Sequence, residues 1–380
     1  MECEIKDHSD CQNSSHAGSQ DSVTLTTEQT FVIWALTTMY ELLTKYTWMA
    51  PVIIGVPGNI ISIMITNKKA NRRISSCNYM TALAMADTMT LISVTWALTL
   101  MHWGYTDELP RRNREFLYQW IWYVIYLFAI LSGLFLAEMS IDRLIAIRFP
   151  MSAVKFCTRF RAWKTIIFTT ILITVLNANV FWTYAYSMDE ELGTDTMRAS
   201  VPEYPGVEAL AVGFQLGFGT FIPFSVIIFS NMWIVITVHE ANKEREVMET
   251  SQSQGKKKRN KDTKYLTRML ILVSIAYVAL SMPYRLYDAI LNLPALKKFY
   301  NMRDIYWILR YGVEYCTINE VWYLNFGINF YLYCIGGGRK YRKDVKTVLR
   351  EVFEMCGCVK PVPTATIMSL QTRTSAIKST

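Results

Sequence analysis

Apolar residues gather into seven long runs separated by shorter polar stretches, at about 38–66, 78–101, 114–148, 163–187, 207–238, 265–293 and 305–335. Each run reaches the ~20 residues that an α-helix needs to cross the hydrocarbon layer of a bilayer. The pattern predicts an all-α membrane protein with seven spanning helices. Pro57, Pro223, Pro283, Gly133 and Gly327 fall inside runs. A span absorbs them where neighbouring helices or water satisfy the freed backbone groups. After the seventh run, residues 339–354 alternate basic and apolar positions (Tyr341, Val345, Val348, Leu349, Phe353), which predicts a short amphipathic helix lying on anionic lipid. The expected organisation is a disordered tail over 1–37, the bundle over 38–335, the surface helix over 336–354 and a disordered tail over 355–380.

Composition agrees with this division. Of 380 residues, 52% are hydrophobic and 13% aromatic, above the apolar share of an ordinary soluble domain. Residues 1–30 are polar and acidic, without the apolar stretch of a secretory signal, so the first span is expected to act as its own insertion signal. Most of the 39 Lys and Arg follow runs 1, 3, 5 and 7. The positive-inside rule then places those segments in the cytoplasm and the N-terminus outside. The net charge of +8 faces anionic lipid and gives no ground for nucleic-acid binding; Lys256 to Arg259 reads as a solvated basic loop. The eight Cys and four His form no zinc spacing, and no nucleophile–base set suggests an enzyme. A bond from Cys3 or Cys11 to Cys316 is one disulfide that an oxidising exterior permits. Asn13-Ser14-Ser15 is a glycosylation sequon on the outer tail, and Cys356 and Cys358 are palmitoylation candidates.

Polar residues inside the runs carry the functional signal, because each is costly in hydrocarbon unless paired or turned toward other helices. Run 1 holds Asn59 and run 2 holds Asp87. Run 3 ends in Ser140-Ile141-Asp142-Arg143, with Glu138 one turn earlier. Run 6 holds Pro283-Tyr284-Arg285, with Asp288 one turn on. In run 7, Asn325, Asn329 and Tyr333 share a face at i, i+4 and i+8. Trp122, Ile125, Tyr126 and Ala129 share a face of run 3, and Ser132 extends it. The structural alternative for each is a packing stripe or an internal ion pair. For Arg285 the expected partners are Asp288, Glu314 or Glu320.

In this order the motifs resemble those of rhodopsin-like (class A) G-protein-coupled receptors. The resembling set is Gly58-Asn59, Leu83-Ala-Met-Ala-Asp87, Ser140 to Arg143 followed by Pro150-Met151, Pro223, Pro283, and Asn325 to Tyr333. Ser281 where the family has Trp, Phe330 where it has Pro, and Cys334-Ile335 followed by three Gly are similar to invertebrate FMRFamide- and myosuppressin-type neuropeptide receptors. The resemblance implies a ligand site drawn from Trp122, Ile125, Tyr126, Gln215, Tyr284, Arg285, Asp288, Asn319 and Tyr323. It implies a sodium pocket of Asn59, Asp87, Ser132, Asn325 and Asn329, with Asp87 as the Na⁺ carboxylate. It assigns G-protein coupling to Asp142, Arg143, Met151 and Tyr333. No cofactor is expected apart from allosteric sodium. The implied partners are an extracellular peptide, a heterotrimeric G protein, arrestin, a receptor kinase and membrane lipid, at the plasma membrane.

The chain departs from the family where run 4 lacks a mid-helix Trp, where Asn231 replaces a Tyr, and where the usual disulfide has neither partner. Tyr118 stands at its run 3 end, and the acidic segment Ser187–Val207 has no Cys. Ile125 in place of an Asp argues against a small amine ligand, and a run 7 without Lys excludes a retinal Schiff base. The alternative on the same scaffold is a chemosensory or small-molecule receptor. A transporter or channel would show paired inverted repeats or broken spans, and neither is visible.

Overall fold

The computed structural model describes residues 27–102, 110–189, 194–199, 213–247, 254–292 and 305–356. The first run is longer than its apolar pattern suggests. α1 (Thr27–Leu42) passes through one π-helical turn (Leu43–Thr47) into α2 (Met49–Thr66), so residues 27–37, expected as disordered tail, are helical. They include Phe31 to Leu36, an apolar segment that continues the helix, and one turn further on Tyr40 lies against Gly312 of the seventh run. At ~1.5 Å per residue the two helices together extend ~60 Å, well beyond the ~30 Å hydrocarbon layer.

The chain continues through α3 (Ser75–His102), α4 (Arg111–Arg148), the short α5 (Pro150–Phe156), α6 (Arg159–Leu176) and α7 (Val180–Thr183). A hairpin follows, β1 (Tyr184–Asp189) against antiparallel β2 (Thr194–Ala199), with Tyr184 opposite Ala199. It is a local addition to the expected all-helical chain. A second π-helical turn (Gly217–Phe221) leads into α8 (Ile222–Val247). α9 (Gln254–Asn292) runs unbroken through Pro283. The seventh run is two helices, α10 (Ile305–Gly327) and α11 (Asn329–Gly336). The break falls at Ile328, so with Phe330 in place of Pro the bend occurs beside Gly327. α12 (Gly338–Met355) is the amphipathic surface helix. Its entry turn needs glycine, since Gly338 has φ +63°.

Among the described residues, six helical stretches are long and apolar enough to cross a membrane: Thr30–Thr66, Ser75–Leu100, Phe116–Arg148, Arg159–Asn179, Gly213–Ala241 and Tyr265–Tyr287. The seventh, α10 with α11, carries Arg310, Glu314 and Glu320 and is more polar. Of the third span's most apolar window 72% is buried, against 22% for the fourth. α4 is therefore the post around which the bundle packs, and α6 turns most of its surface to lipid. Ile53, Trp96, Phe168, Val175 and Ile275 are exposed in the manner of lipid-facing side chains. Small residues set the close approaches expected of membrane helices. A Cβ on Gly55 would lie 2.5 Å from the Cα of Gly327, so α2 and α10 touch backbone to backbone there.

Two apolar clusters divide the interior. One, toward the Asp142 end, joins Ile65, Leu83, Leu131, Phe135, Met269, Tyr277, Phe330 and Tyr333. The other, toward the Arg285 end, joins Leu91, Tyr118, Ile125, Tyr284, Trp322, Tyr323 and Phe326. α12 docks its apolar face on the first: Tyr341 and Val348 are buried, the Tyr341 hydroxyl lies 3.4 Å from Ser62 Oγ, and Lys68 pairs with Glu351 at 3.3 Å.

Candidate functional site

At one end of the bundle Asp142 and Arg143 form an ion pair at 3.1 Å, each 6% exposed. Burial removes both charges from water, so the pair persists only if its remaining valences are met. The first residues of α3 meet them. Ser75 and Ser76 both donate hydroxyl protons to Asp142 Oδ2, at 2.9 and 2.5 Å. The Cys157 thiol donates to the Asp142 carbonyl at 3.4 Å. Burial and the adjacent carboxylate push that thiol up to about 12, so it stays a donor at neutral pH.

Tyr333 of α11 is 1% exposed and its hydroxyl makes no hydrogen bond; Arg143 Nε is likewise unpaired. Both line a small void with Ser76, Met80, Met139, Leu266, Met269 and Leu270. Arg143 and Tyr333 thus sit close together, each with unused hydrogen-bonding capacity and with α9 packed beside them. Met151, on α5, is 89% exposed and available to a partner. Glu138 turns away toward α6, where Thr169 donates to it. It lines a cavity of about 520 Å³ with Arg161 and Lys164.

Midway along the bundle Asp87 is fully buried. Ser132 Oγ donates to one carboxylate oxygen at 2.5 Å, and Asn329 Nδ2 to the other at 2.7 Å. Three of the five residues expected there therefore meet directly. Asn59 donates instead to the Phe326 carbonyl at 3.0 Å, beside the helix break, and its Oδ1 is buried without a partner. Asn325 is 2% exposed but does not bond to the carboxylate. A carboxylate, a hydroxyl and amide oxygens suit a small hard cation. The orphaned Asn59 Oδ1 is an acceptor that such an ion, or water, could satisfy.

Toward the opposite end, Ile125, Tyr284 and Tyr323 join one cluster, with Trp122 packed against it. Trp122 and Tyr126 have ring centroids 5.5 Å apart. Arg285 is 7% exposed. Its guanidinium lies 5.4 Å from the Tyr284 ring and 5.3 Å from Trp322, which stack on each other at 4.3 Å. Trp322 was not among the expected residues. Its signal was the i, i+3 and i+7 phase of Asn319, Trp322 and Phe326. Asn319 is buried and donates to the Tyr315 carbonyl of its own helix at 2.8 Å, so it is not turned toward the cluster by that bond. Gln215 is buried ahead of α8. Of the acids expected beside Arg285, Glu320 has Thr47 beside it, whose hydroxyl donates to the Leu43 carbonyl at 2.7 Å. The side chain of Asp288 lies outside the described residues, as do Asn13, Cys358, Cys3 and Cys11. Cys316 is a free thiol, and Cys356 is exposed just beyond α12.

Aromatic packing stands where the family's disulfide is missing. Phe181 of α7 stacks on Tyr123 at 5.0 Å and meets Trp120 edge-on at 4.8 Å. Tyr123 donates its hydroxyl to the Thr174 carbonyl, and Asn177 donates to the Tyr123 carbonyl. This clasp fixes the base of the hairpin to α4. Trp163 has a role despite its early position, donating to Asn78 at 3.1 Å and tying α6 to α3.

No curated protein matches the chain. The family model described as 7 transmembrane receptor (rhodopsin family) matches residues 58–323, more than half of the sequence and the whole stretch from the Asn59 turn to Tyr323. With its helical bundle, its buried Asp87 knot and its Asp142–Arg143 pair, the chain belongs to the rhodopsin family of seven-transmembrane receptors.

Proposed function

We propose that this receptor binds an extracellular neuropeptide and, on binding, opens the Asp142 end of the bundle to a heterotrimeric G protein. The observation that carries the reading is the closed knot at Asp142. A buried arginine is held by one carboxylate that two serines also grip, and an unbonded tyrosine stands beside it. In this reading the Asp142 end faces the cytoplasm and the N-terminus lies outside. Release of Arg143 and an inward turn of Tyr333 create the docking surface, and exposed Met151 supports the partner from the side.

The Asp87 knot couples the two ends. Asp87, Ser132 and Asn329, with Asn59 and Asn325 nearby, would hold sodium in the closed packing. An ion that binds one packing better than the other shifts the population toward it. The aromatic, Arg-bearing half around Tyr284 and Trp322 favours a peptide, as do Ser281 and Phe330, which the chain shares with FMRFamide- and myosuppressin-type receptors. Arrestin and a receptor kinase would act on the Ser/Thr-rich C-terminal segment, with lipid on α12 and on acylated Cys356 and Cys358, and glycan on Asn13.

The test is a neuropeptide library applied to cells that report several G-protein classes, with Arg143→Ala as the control. A ligand whose signal vanishes in that variant at equal surface expression is expected. A signal that survives it overturns the coupling role of Arg143.

A further inference from the structure

Arg285 carries a full positive charge in the interior of the bundle and forms no ion pair or hydrogen bond among the described residues. Tyr284 and Trp322 offer it only their ring faces. A buried charge without a counter-charge is costly, and proteins retain one where something else supplies the partner. Three buried or half-buried carboxylates of the bundle are engaged elsewhere. Asp87 takes Ser132 and Asn329, Asp142 takes Ser75, Ser76 and Arg143, and Glu138 takes Thr169.

The unpaired groups around Arg285 add donors. The hydroxyls of Thr220 and Ser281 are buried without hydrogen bonds. A hydroxyl can turn its proton toward whatever acceptor arrives. Ser281 precedes Arg285 by one turn, on the same face of α9. Thr220 belongs to the π-helical turn Gly217–Phe221. That turn brings the adjacent Gly219 so close that a Cβ there would lie 3.5 Å from Arg285 Nη2. Single π-turns inside α-helices recur at functional sites. A guanidinium flanked by donors fits a group that only accepts.

We propose that Arg285 anchors a carboxylate of the ligand through a bidentate pair, with Thr220 and Ser281 as auxiliary donors. This rests on the receptor reading above and adds the chemical class of the ligand: an organic acid, either a small molecule or a peptide with a free carboxylate.

The test uses the full-length receptor in lipid nanodiscs, with thermal unfolding as readout. The probes are N-acetyl-phenylalanine, the tripeptide Gly-Gly-Phe, and the C-terminal amide of each. One or both acids should raise the unfolding midpoint in a saturable way, and the amides should not. The stronger acid tells a small-molecule source from a peptide one. Arg285→Met should weaken the acid at least about thirtyfold, the effect of removing one partner of a buried charge pair. It should leave the unliganded receptor as stable as before or more so. Amides as effective as acids, neither acid effective, or an unliganded Arg285→Met receptor that unfolds earlier would each overturn the proposal. Basal nucleotide exchange on a reconstituted G protein, measured on the same samples with Arg143→Ala, tests the receptor reading separately. Exchange without an acid effect removes the anchor and keeps the receptor; an acid effect without exchange does the reverse.

Discussion

Asp142→Asn offers the sharpest test of the closed knot. The amide keeps the shape of the carboxylate and can still accept from Ser75 and Ser76, which lie 2.9 and 2.5 Å from Oδ2. It loses the charge that holds Arg143 at 3.1 Å. A hydrogen bond to a charged group contributes about 1.5–3 kcal/mol. If the open state makes no use of this contact, losing about 2 kcal/mol multiplies the open-to-closed ratio roughly thirtyfold. From a resting open fraction of about 1%, within the range typical of minor states, the variant would be open about a quarter of the time. The assay is ligand-free nucleotide exchange on purified G proteins of several classes, normalised to receptor number. An increase of at least about tenfold is expected. Basal exchange within twofold of the parent, at equal expression, would refute the idea that the Asp142–Arg143 pair restrains activation.

Sodium chloride should raise the unfolding midpoint relative to equimolar choline chloride, and Asp87→Asn should abolish the difference; an unchanged response in the variant would rule out Asp87 as the ligand of the ion. Phe181→Ala removes two ring contacts at about 0.5–1.5 kcal/mol each, so thermal unfolding should begin earlier, and an unaltered curve would show that the clasp adds nothing. Gly55→Ala places a methyl 2.5 Å from Gly327 Cα. Overpacking of this kind costs about 1–3 kcal/mol, and reduced surface expression with a lower midpoint is the expected result. Because the Cys157 thiol is pushed up to about 12, little thiolate exists near pH 7.5. Once thioester-linked acyl chains are removed with hydroxylamine, maleimide should therefore label exposed Cys356 well before Cys157, and equal rates would contradict that environment.

The spans were legible because hydrocarbon enforces a simple rule of length and polarity. The same rule made Asp87, Asp142, Arg143 and Arg285 conspicuous, since each is an expensive residue in an apolar run. Which residues satisfy them was harder to read. Ser75 and Ser76 look like ordinary helix-start residues, yet they grip a carboxylate more than sixty positions away. Trp322 looked like one aromatic among several until its stacking on Tyr284 gave it a place. The start of the first helix is hidden in the sequence because residues 27–37 mix polar and apolar positions, and their helix is supported by contacts with the seventh run that no local window contains. The hairpin pairs locally, but the Phe181 clasp that moors it draws on Trp120 and Tyr123, far back in sequence.

The way the hairpin is moored has a practical meaning. A covalent tether forms only where thiols can be oxidised, and a reductant undoes it. Stacked rings assemble in any redox environment, ignore reductants and yield to heat. Anchorage of this loop should therefore survive cell-free synthesis or exposure to dithiothreitol, and its firmness should follow temperature and the lipid around Trp120.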